Sequence, residues 1–347
     1  MARKSKDPLD DLDQPPPFEQ QRLERRNKAH IEELRASLKA SHQVIDRLER
    51  EKDLLLGLSD RKNAKAWSIT RPISKGQAVA VFVVTDVHIG EVVRAHTVLG
   101  LNEFNHTVAE KRLEEATRRW LLLLAKERAL ADIQEAVIYW GGDLIGGKIH
   151  SDQAEVNDLG TASSIEKAEE CLERSLRTIL AKSGLKKITV VCLSGNHDRM
   201  TQKVQHSSFY ENSNASIVYN HLRNRFSDEK KVSFVIGEGE YHDVKVFGWN
   251  IRFTHGHRIK FSGGVGGLSI PWNKHVSKLN KSKHADFTIG GHLHTWTYSS
   301  EGCFLVNGSI IGTTNYSLPF GHQEPMQAYL TIDKDRCVTA ALKVFCE

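Results

Sequence analysis

The chain has 347 residues, 39% of them hydrophobic and 26% charged, with a formal net charge of +5. This suits one large globular domain with an appendage, or two domains. It argues against a bilayer-spanning helix, since no apolar run reaches roughly 18 residues, and export is not expected, since the start lacks the apolar core of a signal peptide.

Met1 to Pro17 is polar, acidic in its middle and ends in three prolines, so it reads as a disordered arm. From about Phe18 to Leu58, Glu, Arg, Lys, Leu and Ala dominate and predict a helix. Ile31, Leu34, Leu38, Ile45, Leu48 and Leu55 fall on a 3-4 spacing that Ser41 and Lys52 interrupt. Two readings stay open. One is a coiled coil that would make the protein a homo-oligomer. The other is a single amphipathic helix lying on its own domain. A polar connector runs to Lys75, and residues 76–347 form the remaining, larger domain. Most of the excess basic charge precedes Gln77, so any nucleic-acid contact in that domain needs a local patch. Five cysteines without a CxxC argue for reduced thiols in a cytoplasm and against a structural zinc site.

Val81 to Gly90, VFVVTDVHIG, organises that domain. Its continuous apolar run predicts a strand buried on both faces. Strand alternation would set Asp86 and His88 on one side of its tip, where a carboxylate and an imidazole suit a divalent metal. A polar loop and a long helix, roughly Glu103 to Ala131, follow. Val137 to Trp140 then leads to Gly142-Asp143. A loop from Leu144 to Gly160 carries His150, Asp152, Glu155 and Asp158, and a helix of about Ser163 to Ser183 comes next. Ile188 to Leu193 leads to Gly195-Asn196-His197-Asp198, Ile251 to Thr254 to His255-Gly256-His257, and Phe287 to Ile289 to Gly291-His292-Leu293-His294. The first half thus reads as βαβ units with right-handed crossovers. Beyond Ser233 the shorter, closer strands read as an antiparallel second sheet.

Taken in order, Asp86-x-His88, Gly142-Asp143, Asn196-His197-Asp198, His255-x-His257 and His292-x-His294 resemble the calcineurin-like metallophosphoesterase family, over roughly Val79 to Ser309. The resemblance implies a mixed α/β fold, a four-layer αββα sandwich, here with an N-terminal helical extension. It implies that Asp86, His88, Asp143 and His294 hold one divalent metal ion. Asp143, Asn196, His255 and His292 would hold a second, with Asp143 bridging because a carboxylate has two oxygens to share. Oxygen and imidazole donors without thiolate point to manganese first, with iron, zinc or nickel as alternatives. Two such cations would polarise a phosphoryl oxygen and supply hydroxide near neutral pH. His197 matches a non-ligand histidine of the family and is the candidate proton donor to the leaving alkoxide. Asp198 is expected to orient His197 and keep it protonated, the alternative being a loop cap.

His257 is expected to touch a substrate oxygen or a ligand, or to be plain loop. The Gly-rich segment from Phe261 to Trp272 is a lid or substrate rim, or simply a long loop. Lys274, Lys278 and Lys281 share one helix face that meets a phosphate backbone or stays solvated. The stretch from His255 to Ser317 resembles a phage- and prophage-type branch described as DNA repair exonuclease-like. That would place the protein in a host cytoplasm. Leu-Ile-Gly-Gly follows Asp143, not the Asp-Arg-Gly of protein phosphatases in this superfamily. The expectation is a dinuclear-metal phosphodiesterase, a nuclease with nucleic acid as substrate. The alternatives are a phosphomonoesterase and a non-catalytic nucleic-acid-binding or assembly protein.

Overall fold

The structure, a computed structural model, describes residues 17–59, 66–68, 75–147, 157–261 and 267–347. The N-terminal arm, most of the connector, His150, Asp152, Glu155 and residues 262–266 of the Gly-rich segment lie outside the described residues. The chain divides into two units, Met1–Arg71 and Pro72–Glu347. The first contains α1 (Pro17–Ser59). Proline opens this helix, where its missing N–H costs nothing, and no further proline follows within it. Its residues are exposed from Pro17 through Leu58. No helix among the described residues is long and apolar enough to cross a membrane.

The second unit runs β1 (Gln77–Val84), α2 (His106–Glu127), β2 (Asp132–Trp140), α3 (Thr161–Ser183), β3 (Lys187–Cys192), α4 (Asn214–Arg225), β4 (Val232–Ile236), β5 (Tyr241–Val246), β6 (Trp249–Thr254), α5 (Ser269–Asn280), β7 (Phe287–Gly290), β8 (Thr297–Ser299), β9 (Phe304–Val306), β10 (Met326–Asp333) and β11 (Cys337–Phe345). One sheet has the order β11-β10-β1-β2-β3-β4 and the other β5-β6-β7-β9-β8. In the first, β1 to β4 are parallel and β10 runs antiparallel to β1. Each parallel step is bridged by a helix, as a crossover requires.

The second sheet differs from the antiparallel arrangement expected. β6, β7 and β9 are mutually parallel, and only β5 and β8 pair antiparallel. The cause is connectivity. α5 carries the chain from β6 back to the start of β7, and β8 returns it for β9. Close spacing of short strands in the sequence does not reveal that return.

β1 shows how the layers form. Ala78, Ala80, Phe82 and Val84 face α2, α3 and α4, joining Leu113, Trp120, Leu176 and Tyr219 in one core. Val79, Val81 and Val83 face the other way, onto Ile251, Phe253, Ile289 and Leu305 of the second sheet. A third cluster sets Trp272 and Val276 of α5 on Phe304 and Val306 of β9, outside the second sheet. The order is therefore helices, sheet, sheet, helix. Trp120 stacks on Phe82 with centroids 5.3 Å apart and donates its indole N–H to Val81 O at 3.1 Å. Burying such an indole removes roughly 200 Å² from water, on the order of 5 kcal/mol by area.

α2 starts at a side-chain cap, Asn105 Oδ1 accepting from Val108 N at 3.0 Å. α3 ends at Gly184 in the left-handed region, φ 63, where a missing Cβ removes the steric penalty. Asn105 thus starts α2 after the loop that follows β1, and Gly184 turns the chain from α3 into the start of β3.

Candidate metal centre

The tips of β1 and β2 continue beyond the regular ladder as a zipper. Asp86 N donates to Gly142 O at 3.0 Å, and Val87 N and His88 N donate to Asp143 O at 2.9 and 3.0 Å. β1 ends at Val84, so strand alternation does not align Asp86 and His88 as expected. Both instead sit in the left-handed region, φ 57 and 55. Asp143 (φ 50), His292 (φ 71) and His294 (φ 54) do the same. For non-glycine residues each such position costs about 1–3 kcal/mol and persists only where its surroundings impose it. Strain shared by five neighbouring polar residues marks a functional pocket.

Two glycines make the approach of β2 and β3 possible. A Cβ on Gly142 would stand 2.1 Å from Gly195 N, and one on Gly195 would stand 2.1 Å from Asp143 Oδ1. The turns bearing Asp143 and Asn196 therefore touch backbone to backbone, which no side chain would allow.

The pocket gathers two groups of donors. Asp86, His88 and His294 form one, and Asp143, His255 and His292 the other, the ligand-type atoms of each lying within 4.8 Å of one another. His88 Nε2 is 3.3 Å from His294 Nε2, and His294 Nε2 is 3.4 Å from Asp86 Oδ1. His255 Nε2 is 3.2 Å from Asn196 Oδ1 and 3.1 Å from Asp143 Oδ2. Asp143 Oδ2 also lies 3.9 Å from His88 Nε2, so it reaches toward both groups. That oxygen is buried and makes no hydrogen bond. Converging imidazole nitrogens and an unsatisfied buried carboxylate oxygen fit divalent cations, whose charge would satisfy them.

Electrostatics agree with that chemistry. Burial alone would lower His88, but the Glu91 carboxylate and more distant Asp143 and Asp86 outweigh it and hold the imidazole up at about 9. His255 is likewise raised to about 9, burial being overcome by Asp143 and Asp86 and by its bond to Gly141 O. Burial and the His255 charge push His292 down to about 3. Asp143 is held well below its usual range, burial being outweighed by His255, His197 and His88. The same carboxylates that hold protons here would hold metal in their place.

Outer contacts aim the rings. His255 Nδ1 bonds Gly141 O at 2.8 Å, turning Nε2 inward. His88 Nδ1 stands 3.0 Å from Glu91 Oε2, within ion-pair reach though off the hydrogen-bond axis. Glu91, His88 and His197 form a third donor group, but Glu91 lies on the side of His88 away from Asp86 and His294. It is a buried orienting carboxylate. In the sequence Glu91 is only the first residue of a polar loop. The available signal is its spacing, three residues beyond His88 in a tight turn.

Asp198 takes the second of its two expected roles, a loop cap. Its carboxylate does not orient His197 but collects backbone amides, Asp143 N at 2.7 Å, Leu144 N at 2.9 Å and Gly195 N at 2.9 Å, with Ile145 N at 3.4 Å. Burial and the Asp143 charge push it up to about 7, against the pull of those amides. The left-handed turn at Asp143 points a run of N–H groups inward, and only an anionic acceptor satisfies them all. The His197 ring instead bonds Gly146 O through Nδ1 at 2.9 Å, while its backbone N–H donates to Asp143 Oδ1 at 2.7 Å. The ring lies 4.7 Å from that of His88, edge-on, and burial lowers its basicity.

His257 stacks on Phe209 at 5.1 Å and lies 5.7 Å from the His255 ring. Neither of its buried nitrogens makes a hydrogen bond; the nearest charge is Glu240 Oε1, 3.5 Å from Nε2. Lys274 is exposed on α5, and among the described residues no hydrogen bond or ion pair joins it to the donor groups. His206 pairs with Glu240 at 2.8 Å, away from the two groups.

A family model described as calcineurin-like phosphoesterase matches residues 79–301. Among solved structures the chain is similar to a Vps29 mutant from Entamoeba histolytica, at 16% identity over 77% of this chain and 99% of that one, with a TM-score of 0.33. It is also similar to a predicted phosphoesterase from Streptococcus pneumoniae, at 14% identity over 77% and 97%, TM-score 0.28. A third is a hypothetical protein from Pyrococcus horikoshii, at 9% identity over 77% and 87%, TM-score 0.36. No curated protein matches. The family match takes in well over half the chain, including every residue of both donor groups, so this protein belongs to the calcineurin-like phosphoesterase family and is a metal-dependent phosphoesterase.

Proposed function

We propose that the protein is a dinuclear-metal phosphodiesterase that cleaves nucleic acid. The observation that carries the two-metal reading is Asp143 Oδ2, buried without a hydrogen bond and reaching toward both donor groups. Asp86, His88 and His294 would hold one cation with Asp143, and Asn196, His255 and His292 the other, again with Asp143. When bound, such cations polarise the phosphoryl oxygens and acidify an attacking water. Manganese is the first candidate, ahead of iron, zinc and nickel. Gly141 and Glu91 orient the imidazoles that receive them. His197, its Nδ1 anchored on Gly146 O, presents its other nitrogen to protonate the departing alkoxide. His257, beside His255 and with both nitrogens unbonded, would meet a substrate oxygen.

Two observations favour a diester. A phosphomonoester carries an extra negative charge and calls for an extra cation. The turn after Asp143 supplies buried Leu144 and Ile145 instead. Arg199, three residues after Asn196, spends its guanidinium on the carbonyls of Asn196, Thr201 and Gln202. A polymeric substrate is further supported by α5. Trp272 anchors it directly behind the loops of His255 and His292, its ring within 3.1 Å of where a Cβ on Gly256 would lie. Lys274 and Lys278 stand exposed on the face opposite Trp272 and Val276, where a phosphate backbone could neutralise them.

The test is a nuclease panel on labelled single- and double-stranded DNA and RNA with several divalent ions, alongside an aryl phosphodiester and its monoester. Cleavage of at least one polymer, lost in Asp143→Asn, is expected. A monoester hydrolysed faster than the diester, with every polymer intact, overturns the proposal.

A further inference from the structure

The helix α1 presents a seven-residue repeat, apolar at all seam positions but Ser41 and Lys52. Ile31, Leu38, Ile45 and Lys52 occupy one seam position, and Leu34, Ser41, Leu48 and Leu55 the other. The apolar members are 48 to 66% exposed, far from the burial such side chains usually find. A repeat of 3.5 residues is the signature of a seam that faces another helix.

We infer that α1 pairs with α1 of a second copy of this chain as an antiparallel two-stranded coiled coil. The reading rests on α1 alone and is independent of which ester is hydrolysed. Charge decides the occupant and the orientation. In a parallel pair the Lys52 residues of both copies would meet across the seam, as would the two Ser41 hydroxyls. The flanking positions would then match His30 with Arg35, Ser37 with His42 and Val44 with Glu49, none an attractive ion pair. Running the helices oppositely, with Ile31 level with Leu55 of the partner subunit, aligns the whole seam with itself. Lys52 then lies beside an apolar leucine near each end, where its stem packs and its ammonium reaches water. Arg35 of each copy faces the Glu49 position of the other, giving two ion pairs by symmetry, and the Val44 residues meet at the dyad. Among the described residues neither Arg35 nor Glu49 has an ion-pair partner within its own helix, whereas Arg47 and Glu51 pair with each other at 3.0 Å.

Light scattering after gel filtration of the full chain tests this. The expected mass is about twice 39.1 kDa, and Leu38→Asp with Ile45→Asp should return it to one chain with phosphoester hydrolysis unchanged. Arg35→Glu should weaken the dimer roughly fivefold, and adding Glu49→Arg should restore it. Under mild oxidation Val44→Cys should cross-link two copies and Leu48→Cys should not, beyond the background of the unsubstituted protein. A monomer at micromolar concentration, a larger assembly, or cross-linking through Leu48→Cys in place of Val44→Cys overturns the inference.

Discussion

Replacing Asp198 by asparagine separates two roles for this buried carboxylate. One of its oxygens takes Asp143 N and Gly195 N, and the other takes Leu144 N with a longer contact to Ile145 N. An asparagine oxygen can keep the first pair. Its NH2 then points at Leu144 N–H, leaving a buried amide without an acceptor and setting donor against donor. A lost buried partner costs about 1–3 kcal/mol, so we expect a loss of roughly 2–3 kcal/mol, or about 4–12 °C in Tm for a unit of this size. The turns bearing Asp143 and Asn196 should loosen together, weakening metal retention by roughly 10–100-fold. Thermal melts of the chelated protein and a metal titration measure both. Unchanged stability and metal retention, with only the pH profile of hydrolysis displaced, would refute the scaffold role and return Asp198 to His197.

Three further outcomes follow from the same geometry. His197→Ala should slow release of a poorly departing alkoxide about 10²–10⁴-fold while barely affecting a nitrophenolate, which needs no proton; equal losses on both would show that His197 is no acid. Glu91→Gln should lower metal affinity roughly 10–100-fold, with activity recovered at saturating metal; a titration unchanged from the parent protein would remove Glu91 from the site. Third, His88 and His255 are raised from 6.5 to about 9 in the metal-free chain. Groups raised in this way contribute stability that is complete below pH 6.5 and lost as pH climbs through 9, on the order of 3 kcal/mol per imidazole. The chelated protein should therefore melt progressively lower from pH 6.5 to 9. Metal affinity should rise over the same window as protons cease to compete. Melting curves with and without manganese check this, and parallel slopes would contradict it.

The layers were legible where hydrophobic pattern and connectivity agree. β1, β2 and β3 are continuous apolar runs separated by helices, and such a run has few homes other than a doubly covered parallel sheet. The second sheet was harder, because the parallel pairing of β6, β7 and β9 depends on where α5 and β8 carry the chain. At the pocket, residue types at strand tips were readable because polar groups interrupting apolar runs stand out. Their backbone conformation was not: left-handed turns at Asp86, His88 and Asp143 arise from the zipper between two tips distant in sequence. Asp198 shows the same limit. Which hydrogen bonds a carboxylate makes depends on where the amides of residues 143–145 point, and no local pattern in the chain encodes that.

The donors come from both sheets. Asp86, His88, Asp143 and Asn196 follow strands of one, and His255, His292 and His294 follow strands of the other. A newly made chain therefore offers no complete coordination sphere until the two halves have closed on each other. Neither sheet alone carries all the donors, so cations held by the full set would act as a rivet between the two. Loading with metal would then report that the whole scaffold had assembled correctly, and a chain with its halves misaligned would stay chemically silent.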